Sequence, residues 1–327
     1  MKRPVLLACL AVAAGLGSAL PGAAQTTLKM AHTLPASDTH HLAAQRFAEA
    51  VKQRTNGQIQ IEVHAGGALG NDPSILQNLR LGALDMGFTG NPFFSSFVPK
   101  LNVLDLPYLF TSFEHVYRVV DGPVGNQLLA ELEQHQLKGL AFWEIGFRNI
   151  TNSKRPILRP DDLKGIKIRT TPNPGHVAAF QALGASPAPL AFPEVYLALQ
   201  NGTVDAQENP INLIYASKFF EVQKHLSLTQ HAYTVSVVAM NLAKFSSLAP
   251  DQQRAILEAA REAAVQQRKM NRDIEGENLA KMKQAGLAVV EKVDPKPFQD
   301  ALGDKIKKTY VDRFGSDLVD AIDKAKP

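Results

Sequence analysis

Along most of the 327 residues, short apolar runs alternate with segments whose apolar positions return every three or four residues. The first pattern suits strands and the second suits helices, so their alternation predicts an α/β fold. Residues 27–31 read as a strand. Asp38 or Thr39 caps a helix with Leu42, Ala43, Phe47, Ala50 and Val51 on one face, stopped at Asn56-Gly57. Ile59, Ile61 and Val63 alternate as a strand. Asp72-Pro73 reads as an N-cap followed by proline at the first helical position, and that helix ends at Gly82 before a strand over 84–89.

A strand over 137–145 then runs into Gly146-Phe147-Arg148, and another over 166–169 ends at Arg169. After it come a helix over 176–183 and a proline-rich connection over 186–189. Phe192-Pro193 opens a helix that ends at Asn201-Gly202, and a strand over 204–207 follows.

Two stretches about 120 residues apart resemble each other. Leu79 to Asp85 and Leu199 to Asp205 both read Leu-x-x-Gly-x-x-Asp, and both lead through a strand to Asn-Pro, at Asn91-Pro92 and Asn209-Pro210. Two lobes of similar plan would explain this, each presenting an asparagine at the carboxyl end of a strand, where open α/β sheets bind ligands. From Pro250 to Gln284 a single helical pattern would measure about 50 Å at 1.5 Å per residue. Such a helix must cross from one lobe to the other or kink near Gly276.

Residues 1–24 follow a different rule: Lys2 and Arg3, an apolar run over 5–20, then Gly22-Ala23-Ala24. This is the three-part form of a cleavable export signal, too short for a membrane anchor. Cleavage after Ala24 removes the only cysteine and two cations, leaving 33 Lys and Arg against 31 Asp and Glu. The remaining chain can form no disulfide or thiolate zinc site, so its stability must come from core size. Basic and acidic residues alternate without a basic run, which argues against a nucleic-acid partner.

The motifs of nucleophilic, zinc-protease, P-loop and dinucleotide chemistry are missing, and no cofactor is expected. His32, His40, His41 and His64 match no ligand spacing, so capping or solvated histidines are expected instead of a metal site. Arg148 and Arg169 each end a strand, and a guanidinium fork suits a carboxylate. Phe88, Asn91, Phe93, Trp143, Phe147, Phe192 and Asn209 fall near the same strand ends, supplying the apolar walls and polar selectors that a small anion site needs.

Several long motifs occur in an order and spacing that resemble one family over nearly the whole chain after the signal. They are Gly70-Asn71-Asp72, Leu81 to Met86, Gly146-Phe147-Arg148 with Thr151-Asn152, Asp161 to Arg169, Ala191 to Gly202 and Val204 to Pro210. The sequence resembles the DctP-type solute-binding proteins of tripartite ATP-independent periplasmic (TRAP) transporters. The resemblance implies a two-lobed, type II-like periplasmic-binding-protein fold with a long lobe-crossing helix and a ligand cleft. Its lobes would comprise 25–145 with 235–275, and 146–234 with 276–327.

The resemblance further implies a non-enzymatic, monomeric periplasmic protein that captures an organic acid, such as a C4-dicarboxylate or sugar acid, for a TRAP permease. Arg169 would hold the carboxylate, assisted by Arg148 and Asn209, with Phe192 as an aromatic wall. Gly90 stands where sialic-acid-binding members carry a glutamate, which favours a smaller ligand. Asn91, Tyr233 and His32 complete the expected ligand set. An exported enzyme acting on organic acids, or a ligand-presenting protein for a membrane sensor, is the alternative.

Overall fold

The computed structural model describes residues 25–327; the segment read as an export signal lies outside the described residues. The chain opens as β1 (Thr26–Ala31), α1 (Thr39–Arg54), β2 (Ile59–His64), α2 (Asp72–Leu81) and β3 (Met86–Gly90). Helices α3 (Phe113–Val120) and α4 (Pro123–Glu131) lead to the long strand β4 (Leu137–Phe147) and then β5 (Asn149–Asn152). A second alternation follows: β6 (Lys167–Thr170), α5 (Pro174–Ala182), β7 (Ser186–Pro189), α6 (Val195–Gln200) and β8 (Ala206–Asn209). The chain continues with α7 (Ile211–Ala216), β9 (His225–Ser227), β10 (Tyr233–Asn241), α8 (Leu242–Ser246) and α9 (Pro250–Gln284). It ends with β11 (Ala288–Val290), α10 (Lys296–Leu302), α11 (Lys305–Phe314) and α12 (Asp317–Lys324).

Two sheets result, ordered β2-β1-β3-β10-β4 and β11-β9-β5-β8-β6-β7. In the first, β1 lies parallel between β2 and β3, and β10 runs antiparallel beside β3. In the second, β6 lies parallel between β7 and β8, and β5 runs antiparallel beside β8. The plan is duplicated, but the antiparallel strand β10 comes from a distant part of the chain whereas β5 directly precedes β6.

The period-two pattern of β10 shows why a sheet forms here. Val235, Val237 and Ala239 enter one core cluster, while Val238 and Met240 enter the cluster on the opposite face. The second sheet is covered on both sides in the same way, by clusters around Ile168 with Phe180 and around Val195 with Phe219. No helix among the described residues is long and apolar enough to cross a membrane.

Three passages join the lobes. Arg148 alone separates β4 of the first sheet from β5 of the second, and residues 228–232 lead back from β9 to β10. The third is α9, which runs unbroken for 35 residues through Gly276. Its first half packs Ile256 and Ala260 into the first lobe, and Met282 enters the second-lobe core. Between them, Asn212 on α7 donates to the Asn271 carbonyl at 2.9 Å and accepts from Asn278 at 2.9 Å.

Three local expectations need correction. Residues 186–189 form strand β7 beside β6, because prolines at an edge leave no ladder donor unpaired. The cap of α2 is Asn71, whose side chain accepts from the Ser74 N–H at 3.1 Å, so Asp72 is free to turn elsewhere. The C-terminal tail does not stay with the second lobe. Phe298 and Leu302 do, but Ile306, Tyr310, Leu318, Val319 and Ile322 fill the first-lobe core. Their apolar stripe matches the face that α3 and α4 leave open, where His115 Nε2 lies 2.8 Å from the Ile322 carbonyl oxygen.

Candidate ligand-binding site

The carboxyl ends of β3, β6 and β8 converge with the first turn of α2 and the residues before α6. They enclose a cavity of about 30 Å³ lined by residues of both lobes, among them Thr33, Asp72, Gly90, Arg148, Arg169 and Phe192. That is around one water molecule's share of liquid volume. A larger hollow of about 490 Å³ lies between Leu106–Leu109 and the C-terminal helices, but its lining contains no arginine. Charge and burial, not volume, single out the smaller one.

Arg169 sits on β6 with only 1% of its surface exposed. Its Nε and Nη2 both donate to the Leu190 carbonyl, at 3.1 and 2.8 Å, and it forms no ion pair among the described residues. Burial pulls its pKa down to about 10, with Glu208 opposing, so it remains cationic at neutral pH. A desolvated guanidinium whose fork is pinned by one carbonyl, with Nη1 left over, is a ready anchor for an anion.

Arg148 is equally buried, at 2% exposed, but its fork is used. Nε donates to Glu208 Oε2, and Nη2 donates to Glu208 Oε1 at 2.8 Å and to Asn209 Oδ1 at 3.1 Å. Nη1 donates to Thr234 Oγ1 at 3.2 Å. His231 Nε2 lies 3.2 Å from Glu208 Oε2. Burial alone would raise the Glu208 carboxyl, but Arg148 and His231 outweigh it and hold it below the usual carboxylate range.

Five expected residues line the cavity: Arg169, Arg148, Asn209, Phe192 and Gly90. A side chain at position 90 would meet Pro92 Cδ at 3.3 Å and Ile145 Cδ1 at 3.4 Å, so the wall is flat there. The other three do not line it. Asn91 points away, its Oδ1 accepting from the Val235 N–H at 3.1 Å. Tyr233 is buried in the first-lobe core and donates to Glu144 Oε2 at 2.8 Å. His32 stacks on Phe88 at 4.6 Å, with its Nε2 3.0 Å from His41 Nδ1.

His32, His40 and His41 are buried rather than solvated, with Asp38 capping α1 and bonded to His40 at 2.7 Å. Among the described residues, no group of three or more His, Cys, Asp or Glu side chains is placed to hold a metal ion.

Asp72 lines the cavity and was missed in the sequence, where it passed for a helix cap. A signal was present. Asp72-Pro73 stands ten residues before Gly82, and Phe192-Pro193 stands ten before Gly202, so the repeat already paired Asp72 with a residue assigned to the site.

The model of the family "Bacterial extracellular solute-binding protein, family 7" (DctP) matches residues 30–312. The chain belongs to this family. The 2,3-diketo-L-gulonate-binding periplasmic protein of Escherichia coli is 41% identical over 305 residues, 93% of each chain. Among solved structures, a Polaromonas TRAP periplasmic solute-binding protein bound to D-erythronate superposes with a TM-score of 0.90 at 37% identity, covering 93% of this chain and 100% of that one. The sugar acid binding protein of Advenella mimigardefordensis, in complex with galactonate, gives 0.89 at 32% identity with the same coverage. This solute-binding protein therefore shares their two-lobed architecture, and its family is one of binding proteins, not enzymes.

Proposed function

We propose that this solute-binding protein captures a small organic acid between its lobes, seats the carboxylate on Arg169 and delivers the acid to a TRAP-type membrane permease. The observation that carries the reading is a guanidinium buried to 1% exposure with no carboxylate partner among the described residues, at the carboxyl end of a strand in an interlobe cavity. Retaining a buried cation without a partner costs free energy, which an anionic ligand returns. Asn209 and the paired Arg148 border the same space, and Phe192 forms an apolar wall.

Export through the segment 1–24, periplasmic residence and action as a monomer belong to the same proposal. So does a division into 25–145, 235–275 and the last two helices on one side, and 146–234 with 276–302 on the other. The lobes would hinge near Ile145, Thr234 and the middle of α9, where the three passages run together.

A thermal-shift screen of residues 25–327 against organic acids and their neutral amides or esters tests the reading. A ligand at a hundredfold excess over its Kd adds about 2.7 kcal/mol, enough to raise the melting temperature visibly. The expected result is stabilisation by an acid and none by its amide. Stabilisation by neutral sugars alone would remove Arg169 as the anchor.

A further inference from the structure

Thr171 lines the cavity, and its hydroxyl can meet a ligand either as a donor or as an acceptor. The residue behind it decides which. Thr171 Oγ1 lies 2.9 Å from Nδ1 of His176, a buried side chain on α5. Across the same ring, Nε2 lies 3.6 Å from Oδ1 of Asp105, which ends the 3-10 segment Pro99–Asp105 of the first lobe. Both of these atoms are buried, and neither has a hydrogen-bond partner among the described residues. Asp105 Oδ2 is taken, accepting from Asn173 Nδ2 at 2.7 Å. Three side chains thus form a line from the ligand cavity across the boundary between the lobes.

A carboxyl oxygen and an imidazole nitrogen left facing each other in a buried site are satisfied by one proton between them. Burial pushes the Asp105 carboxyl well up, with Asn91, Arg148 and Asn173 opposing and Glu208 adding. Burial pulls the His176 pKa down to about 3, with Glu208 opposing and Arg148, His231 and Arg169 adding. On the remaining side, Tyr310 and Arg313 of α11 border a hollow of about 300 Å³ together with Asp105.

The shared proton sets the direction of every bond in the line. When it is present, on Oδ1 or on Nε2, the His176 Nδ1–H donates to Thr171 Oγ1, and the threonine proton is free to point into the cavity. When it is absent, Nε2–H turns to the Asp105 carboxylate and Nδ1 accepts the threonine proton. The cavity then meets only lone pairs. An anionic ligand is held by the first arrangement and repelled by the second.

Resting on the organic-acid reading, we infer that Asp105 and His176 are positioning residues that, through one shared proton, hold the Thr171 hydroxyl as a donor to the bound acid. Affinity then falls as pH rises through the titration of the unliganded line, and binding in that range takes up a proton.

Isothermal titration with 2,3,4-trihydroxybutanoate and succinate, or with the acid that the thermal screen selects, tests it between pH 6 and 9. The acid that binds should lose at least about tenfold in affinity over this range, the equivalent of one hydrogen bond to a charged group. Asp105→Asn offers Nε2 a permanent amide donor and still accepts from Asn173, so its affinity should vary less than about threefold over the same range. Asp72 and Arg169 titrate in both proteins and cancel in the comparison. Thr171→Val keeps the branched shape without the hydroxyl, and should bind about tenfold more weakly at pH 6 with a flat profile.

A flat profile in the unaltered protein, a slope that survives in folded Asp105→Asn, or undiminished affinity of Thr171→Val at pH 6 overturns the inference and leaves the organic-acid reading in place. If Asp105→Asn does not fold, the profile of Thr171→Val replaces it, and a slope equal to that of the unaltered protein overturns the inference. If no carboxylic acid in the screen binds, the organic-acid reading falls, and this inference with it.

Discussion

The two lobes repeat one local design and differ where the ligand would lie. In the first, the Asp85 side chain accepts the Lys29 N–H of β1 at 2.8 Å; in the second, Asp205 accepts the Lys167 N–H of β6 at 3.0 Å. Before each aspartate the helix ends on a left-handed glycine, Gly82 at φ 75° and Gly202 at φ 68°, and each glycine N–H reaches back to Leu79 or Leu199 at 3.2 Å. With the lobes aligned on these bonds, Thr33 corresponds to Thr171, Ala31 to Arg169, and Asp72 to Phe192. Both threonines line the cavity. The scaffold has kept its symmetry and the chemistry has lost it: the second lobe carries the cation, and the first carries the acid.

A second contrast lies within the second lobe. Arg148 is matched by Glu208, whereas Arg169 forms no ion pair among the described residues and donates to the Leu190 carbonyl. The most destabilising test of that contrast is Glu208→Ala. It leaves Arg148 buried without its carboxylate, and breaking such a pair typically costs about 3 to 5 kcal/mol. Urea unfolding should show a loss of that size, and a loss under about 1 kcal/mol would mean that Arg148 finds water or another acceptor.

Arg169→Ala should behave in the opposite manner. No carboxylate is orphaned, so stability should stay within about 1 kcal/mol, while affinity for the acid falls at least about a hundredfold, or about 2.7 kcal/mol. Titration of the folded variant reads the affinity. Unchanged binding would move the anchor to Arg148 and collapse the distinction between the two arginines.

How far this asymmetry could be read from the sequence depended on the kind of residue. The glycine stops, the Asn-Pro ends and both arginines were legible because backbone geometry and strand position constrain them locally. Burial partners were not: nothing near Arg148 in the chain announces Glu208, 60 residues away, or shows that Arg169 has no such partner among the described residues. Asp72 was hidden by a second good explanation, helix capping, which Asn71 one position earlier fulfils. The tail was misplaced because a helical apolar stripe specifies that it packs, not against which lobe. Asn91 was placed in the site by analogy with Asn209, but the strand before it is longer and turns its amide onto β10.

The position after Ala31 and Arg169 offers a smaller test. His32 stands in the first lobe where Thr170 stands in the second, and both are fully buried. Burial lowers the His32 pKa to about 3, with His41 and His40 adding to the shift and Asp38 opposing it. The unfolded chain takes up this proton near pH 6.5 and the folded one does not, so the stability His32 contributes is present above pH 6.5 and is lost as pH falls toward 3. Between pH 6 and 5, the stability of the unaltered protein relative to His32→Gln should shrink by about 1.2 kcal/mol. Taking the difference cancels the opposing contributions of buried Asp72 and Asp105, whose raised values favour the folded state on acidification. A flat difference would mean that the imidazole is solvated or already protonated.

The finest test of the shared scaffold uses the two aspartates that define it. Asp85→Ala and Asp205→Ala each remove one acceptor from the first parallel strand of a lobe, and each should cost about 1 kcal/mol in urea unfolding. Asp205 also lies 3.2 Å from Lys154 Nζ, but that pair is half exposed and should add at most a few tenths. Because the two bonds sit in separate lobes, the double variant should lose the sum of the single losses to within about 0.5 kcal/mol. A sum that held would make the lobes independent copies of one device, joined mechanically by α9 and the β4 to β5 passage. A loss well beyond the sum would show that the Lys29 position of β1 and the start of β6 sense each other. The equivalence read from the hydrogen bonds would then describe how the lobes are built but not how they respond, and closure would have to be treated as a property of both sheets at once.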